Sequence, residues 1–143
     1  MNDWHALELI AEEIIQTFEI DSPPIPIEKM LQHPKPDMWE DLDIKQLSVS
    51  FLKVTDYYSP RMSLARLLAR QLSVSQWGIR RGLDSISGDE KKLHRFTRML
   101  VMPSSMIMEL TLTARTPSIM SVHFEVPLDD ARLRLEELNE AAL

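Results

Sequence analysis

The chain has 143 residues, of which 44% are hydrophobic and 27% charged, with a formal net charge of −6 at pH 7. This length and composition predict one folded domain over residues 1–143 and argue against an intrinsically disordered chain. Cysteine is absent, which excludes disulfides and thiolate sites. The sequence has neither a signal-peptide pattern nor an apolar run of ~20 residues, so we expect a cytoplasmic protein without a membrane partner.

The first half of the chain is predicted to hold two helices and one strand. Apolar residues at three- and four-residue steps predict an amphipathic helix over residues 3–18, which the pair Pro23-Pro24 separates from a short helix over residues 26–32. Residues 47–54 have the length and the valine and phenylalanine content of a strand. Together with the helices that follow, this predicts an α+β class that is predominantly α-helical.

The second half is predicted to be a series of helices. The longest stretch with apolar periodicity covers residues 61–83, with a break near residues 73–75 and Gly82 as its terminator. The other segments with helical periodicity, each bounded by proline, glycine or a polar loop, are residues 91–101, 104–113, 120–124 and 127–142.

The same periodicity predicts which side chains form the core. On the two central helices, the residues expected to be buried are Leu64, Leu68, Phe96 and Leu100. On the last helix, the predicted apolar stripe consists of Leu128, Ala131, Leu135, Leu138 and Ala142.

Charge is distributed unevenly along the chain. Residues 1–50 carry 11 acids and three Lys or Arg, residues 51–100 carry four and ten, and residues 101–143 carry seven and three. Two interpretations are open at this point: the segments neutralise one another across the fold, or the basic middle forms a patch that meets an acidic partner.

Three separated segments together carry a resemblance to a known family. The opening helix is followed by the proline-rich segment 23–27, residues 95–103 read R-F-T-R-M-L-V-M-P, and residues 124–135 read F-E-V-P-L-D-D-A-R-L-R-L. The second segment resembles the run N-x-F-A-x-x-L-L-M-P, and the third resembles the terminal run F-x-V-S-x-x-A-x-x-x-R-L, of the ImmA/IrrE family of zinc endopeptidases. This resemblance implies a zincin-like helical domain with a small strand element.

The resemblance also indicates where a zinc site would lie. In the family, the helix between the first two segments reads R-F-T-L-A-H-E-L-G-H, in which the two histidines bind zinc and the glutamate acts as general base. The matching residues 61–70 read R-M-S-L-A-R-L-L-A-R. Arg66 and Arg70 therefore stand at the histidine positions, and Leu67 stands at the glutamate position.

The residues at these positions cannot support the family's chemistry. The third zinc ligand, a glutamate, corresponds to Lys92 in an ungapped alignment, and an offset of a few residues would place Glu90 or Asp89 there instead. Arginine stays protonated and has no lone pair for a metal, and leucine cannot move a proton. The resemblance therefore implies a catalytically inactive domain with no metal or other cofactor.

An inactive peptidase-like domain is expected to act by binding. The implied partner is a protein or peptide, such as a regulator of transcription in bacteria or mobile elements. The candidate partner-binding residues are Arg61, Arg66, Arg70 and Trp77. Arg66 and Arg70, one helical turn apart, either pair internally with acids of the N-terminal third or line a cleft that binds an anion or a peptide carboxylate.

The resemblance makes one geometrical prediction. The helix that holds Arg66 and Arg70 should pack against the helix over residues 91–101. Because several cations cannot share a dry pocket without compensation, we expect one of the two arginines to contact a carboxylate from residues 37–43 or 89–90, or to open into solvent.

Two other functions are alternatives. A DNA-binding regulatory module would need a basic surface around residues 61–81, and the acids that flank Arg132 and Arg134 argue against nucleic acid as the partner. A metallopeptidase with a relocated site would need acids or histidines with shifted pKa values in one pocket. Against a metal site, no pair with ligand spacing occurs among the four histidines, His5, His33, His94 and His123.

Overall fold

The computed structural model describes residues 4–40 and 58–142, and within these ranges it contains helices and no strand. The α-helices are α1 (Trp4–Thr17), α2 (Ile27–Gln32), α3 (Ser59–Val74), α4 (Gln76–Arg80), α5 (Glu90–Val101), α6 (Ser104–Met108), α7 (Pro117–Phe124) and α8 (Leu128–Ala142), and short 3-10 helices cover Leu83–Ile86 and Leu112–Ala114. The prediction of a predominantly helical protein is confirmed. The strand predicted over residues 47–54 lies outside the described residues. None of the described helices has the length and apolarity needed to cross a membrane.

The break predicted near residues 73–75 separates α3 from α4. Ser75 Oγ donates to the carbonyl of Leu72 at 2.7 Å and accepts from the backbone N–H of Gly78 at 3.0 Å, so it ends one helix and caps the next. Position 78 requires glycine, because a Cβ there would lie 1.9 Å from the Leu72 carbonyl oxygen. After α4, Gly82 adopts a φ of 77° in the left-handed region, which confirms it as the terminator.

The helix predicted over residues 104–113 is wrong in its second half. The helix α6 ends at Met108, because the guanidinium of Arg115 folds back and binds the carbonyls of Met108 at 3.1 Å and Leu110 at 2.9 Å. Carbonyls at a helix end need such a partner, and here a side chain supplies it instead of a further helical turn. The next helix, α7, begins at Pro117, earlier than predicted, with proline in its first turn.

The core is built around α5, against which α1, α3 and α8 all pack. The burial predicted for the two central helices is confirmed, with exposures of 3% or less for Leu64, Leu68, Phe96 and Leu100. Tight packing along this seam brings the polar residues at the edges of α3, α5 and α8 close to one another.

The apolar stripe predicted on α8 is wrong at its first position. Ala131 is buried, and Leu135 and Leu138 pack against the core at partial exposure, but Leu128 is 52% exposed. Because helical side chains lean toward the N-terminus, the side chain of the first residue projects past the end of the helix. The side chain of Ala142 lies outside the described residues.

Candidate functional site

The positions that the sequence resemblance aligns with zinc ligands lie along α3 and α5, which pack against each other. The prediction that these two helices pack against each other is confirmed. Ala65, Leu68 and Ala69 are fully buried, whereas Arg66 is half-buried and Arg70 is exposed, so the arginines lie at the solvent edge of the seam. Leu67, which the resemblance aligns with the general base, is half-buried and packs against the core.

Arg70 contacts a carboxylate of α5, as expected. Its Nη2 lies 3.4 Å from Oε2 of Glu90, and the two side chains are 46% and 67% exposed. The imidazole Nε2 of His94, one turn further along α5, lies 3.3 Å from the same Glu90 oxygen. A single carboxylate oxygen therefore lies between a guanidinium and an imidazole.

Arg66 differs from Arg70 in having no such partner. Its Nε is buried without a hydrogen-bond acceptor, and among the described residues no carboxylate lies within 4 Å of its guanidinium. Leaving a buried donor unsatisfied is costly, since the group has lost water without gaining a protein acceptor. Arg66 is thus a charged donor at the seam whose hydrogen-bonding capacity the described fold does not use.

The charge of Arg66 is felt by two titratable groups from the neighbouring helices. Burial lowers the pKa of His94, and the positive charges of Arg66, Arg98 and Arg70 lower it further, with Glu90 acting in the opposite direction. Burial also raises the pKa of the Asp130 carboxyl on α8, although Arg66 and Arg98 oppose that shift. The site is therefore a junction of α3, α5 and α8 at which burial and three arginine charges hold the pKa of His94 below its ordinary value.

Lys92, the ungapped match to the third zinc ligand, does not join this cluster. It lies two residues before His94 and thus points about 200° away around α5. Within the described part of the chain its side chain makes no ion pair, and its backbone N–H is capped by Asp89 Oδ1 at 3.2 Å. Glu90, which an offset alignment would place at this position, contacts Arg70 instead.

A small cavity opens beside Arg70. Its volume is about 160 Å³, and it is lined by Arg70, Ser73, Val74, Ile86, Ser87, Gly88, Glu90 and Leu93. Pockets for small-molecule ligands and cofactors typically have about 300–1,000 Å³. This cavity has room for one side chain or one chain terminus rather than for a cofactor.

The other two candidate partner-binding residues have internal partners. Arg61 donates to the backbone carbonyls of Ile25 at 2.7 Å, Glu125 at 3.0 Å and Phe124 at 3.1 Å, and thereby joins the start of α3 to two loops. Trp77 is 6% exposed, and the guanidinium of Arg81 lies 3.8 Å above its ring. Arg61 and Trp77 thus hold the fold together, away from the junction at Arg66.

Four arginines of the basic middle are paired with acids from other parts of the fold. Salt bridges within the described residues join Arg80 to Asp37 at 2.9 Å, Arg81 to Glu13 at 2.7 Å, Arg95 to Glu140 at 3.1 Å and Arg98 to Glu137 at 2.5 Å. These contacts favour the interpretation of internal neutralisation over that of one continuous basic patch. They also make Arg66 stand out, since it lies among paired arginines.

Two residues of this junction were not singled out by the sequence. His94 was counted among scattered histidines, although its position four residues after Glu90 on one helix was a local signal for their contact. Asp130 comes from α8, and no local pattern relates it to α3. Among the described histidines and acids, no group of three converges where it could hold a metal ion.

No known protein family, no characterised protein and no solved structure matches this chain at a significant level.

Proposed function

We propose that this domain binds a protein partner by receiving one of the partner's carboxylates at Arg66 and Arg70. The observation that carries the proposal is Arg66, a half-buried guanidinium whose Nε has no acceptor in the described structure. Its planar fork matches a carboxylate in a bidentate arrangement. A bound carboxylate would give this guanidinium the close counter-charge that the described residues do not supply.

The shape of the site favours a peptide over a small molecule. The cavity beside Arg70, which Arg66 does not line, has about 160 Å³, which accommodates the end of one acidic side chain or a chain terminus. A partner that inserts one residue here gains additional contacts outside the cavity. The natural ligand is therefore an acidic segment of a protein.

The resemblance to the ImmA/IrrE zinc endopeptidases gives this proposal its finer form. In that form the chain is a catalytically inactive, zincin-like and cytoplasmic member of the family, and its partner is a regulator of transcription. Support comes from the order of the three matching segments and from the packing of α3 on α5. The arginines at both histidine positions turn a former cation site into an anion site.

The two alternatives have less support. A relocated metal site would use His94 and Asp130, whose pKa values are shifted, but the charges of Arg66 and Arg98 that act on both groups would also repel a divalent cation. A DNA-binding surface over residues 61–81 would use arginines that the described structure pairs with acids, such as Arg80 with Asp37.

The proposal is tested by measuring how the full chain binds a fluorescein-labelled hexaglutamate peptide, by fluorescence anisotropy at low salt. We expect the parent to bind and Arg66→Met to bind at least about ten-fold more weakly, because a hydrogen bond to a charged group contributes ~1.5–3 kcal/mol. Hexaglutamine serves as the uncharged peptide and should not bind.

Arg132→Met is the matched control, because it removes the same charge from an exposed position on α8 where Arg132 already pairs with Asp129 and Glu136. Its affinity should stay within two-fold of the parent's. Equal weakening by both substitutions would mean that only net charge matters. No binding by the parent would contradict the proposed function itself.

A further inference from the structure

Glu90 lies where an incoming carboxylate would have to bind. Its Oε2 is 3.4 Å from Arg70 Nη2 and 3.3 Å from His94 Nε2, at the edge of the cavity beside Arg70. In effect, the chain already places one of its own carboxylates on the second arginine of the pair. Arg66 has no counterpart to Glu90 among the described acids, since the nearby Asp130 lies 3.7 Å from Arg98 instead.

We infer that Glu90 is an internal competitor of the partner, a resident carboxylate that the partner's carboxylate displaces from Arg70 and His94. This inference rests on the proposed function, because it concerns the same site. The two arginines then have different roles: Arg66 has no resident carboxylate, whereas Nη2 of Arg70 becomes available only when Glu90 leaves.

The contacts of Glu90 are of the kind that can be displaced. Charge-assisted N–H···O bonds are normally about 2.7–2.9 Å long, so both of its contacts are long and weak. The side chain is 67% exposed, and exposed ion pairs of this type contribute little to stability because water and salt screen them. A partner's carboxylate that also excludes water from the seam would therefore bind Arg70 more strongly than Glu90 does.

The position of Glu90 in α5 also lowers the cost of its release. Glu90 is the first residue of the helix, directly after Asp89, whose side chain caps the helix by accepting from the N–H of Lys92. A negative charge in the first turn is favourable because of the positive end of the helix dipole. Released Glu90 therefore keeps a favourable environment in solvent, and no buried charge is left behind.

The inference is tested with Glu90→Gln in the same hexaglutamate assay. The matched control is Glu136→Gln, which removes one negative charge from an exposed pair on α8, with Arg132. General repulsion between the peptide and a negatively charged protein is relieved equally in both variants. We expect Glu90→Gln to bind about two- to five-fold more tightly than Glu136→Gln, the range that corresponds to removing an exposed ion pair.

A double variant shows whether the gain in affinity for hexaglutamate depends on Arg70. Arg70→Met with Glu90→Gln should bind no more tightly than Arg70→Met alone, because the competitor has nothing left to compete for. Equal affinities of Glu90→Gln and Glu136→Gln would overturn the inference while the loss of binding in Arg66→Met still supported the proposed function. Failure of both the parent and Glu90→Gln to bind would overturn both.

Discussion

The helix α5 has two sides on which charged residues are handled differently. Toward α8, Arg98 donates to both oxygens of Glu137 at 2.9 and 2.5 Å, and these side chains are 11% and 10% exposed. Toward α3, Arg70 makes one long contact with an exposed Glu90, and Arg66 has no acceptor within the described part of the chain. Arg98 is thus paired through both oxygens of a carboxylate on one side of the helix, whereas Arg66, on the other side, has no close carboxylate among the described residues.

This difference separates charges that hold the fold from charges that are available for binding. A buried ion pair need not stabilise a protein compared with an apolar pair, but losing one partner strands the other charge in a low dielectric. An exposed charge, or one without a close ion-pair partner, can be removed with little effect on the free energy of unfolding. Substitutions on the side of α5 that faces α8 should therefore lower the free energy of unfolding. Substitutions on the side that faces α3 should instead weaken binding of the partner.

The largest effect is expected at the buried pair of Arg134 and Glu8. The side chain of Arg134 is 0% exposed, and its guanidinium contacts both oxygens of Glu8 on α1 and the carbonyl of Met102. Glu8→Gln leaves this buried cation without its counter-charge, and we expect a loss of about 3 kcal/mol in the free energy of unfolding. Urea denaturation followed by circular dichroism measures it.

Glu136→Gln is the control for Glu8→Gln, because it removes a carboxylate from an exposed pair and should cost less than about 0.5 kcal/mol. If the two variants unfold at the same urea concentration, the distinction between buried and exposed ion pairs in this fold is wrong.

A smaller effect is expected for Arg66→Met. The substitution breaks no hydrogen bond of the described residues. It removes the repulsion between Arg66 and Arg70, which is worth a few tenths of a kcal/mol at this spacing, and also the attraction between Arg66 and Asp130. Because these two changes oppose each other, the free energy of unfolding should change by less than about 0.5 kcal/mol. Arg98→Met, measured beside it, should lower the same quantity by about 3 kcal/mol, because the buried Glu137 carboxylate loses both of its hydrogen bonds to Arg98. A large loss of stability in Arg66→Met would mean that Arg66 has a structural role.

The local features of the fold were predictable from sequence, because they depend on neighbouring residues. The break at Ser75 and the terminator Gly82 belong to this class. The end of α6 was not predictable, since it depends on where the side chain of Arg115 folds back. Proline, glycine and apolar spacing are visible in a sequence, whereas a side chain that replaces a helical turn has no pattern of its own.

The candidate site was predictable only in part, for the same reason. The contact between Arg70 and Glu90 followed from expecting two helices to pack, and the structure contains it. The placement of Asp130 beside Arg66 and Arg98 joins residues far apart in the chain, and only the assembled fold brings them together. The lack of an acceptor for Arg66 Nε likewise depends on how α3, α5 and α8 pack, and the sequence around Arg66 does not predict it.

The smallest expected effect concerns the pH dependence at His94. Burial and the charges of Arg66, Arg98 and Arg70 hold its pKa below the ordinary 6.5, so between the folded-state pKa and 6.5 the unfolded chain binds more protons than the folded one. The free energy of unfolding must then rise with pH through that window, and the contribution of neutral His94 is lost as pH falls through it. Titration of the His94 imidazole by NMR should give a pKa below 6.5 in the parent and a higher one in Arg66→Met, with Arg132→Met unchanged from the parent. An identical His94 pKa in parent and Arg66→Met would show that the Arg66 charge does not reach the α5 side of the seam, and the proposed anion site would lose its electrostatic basis.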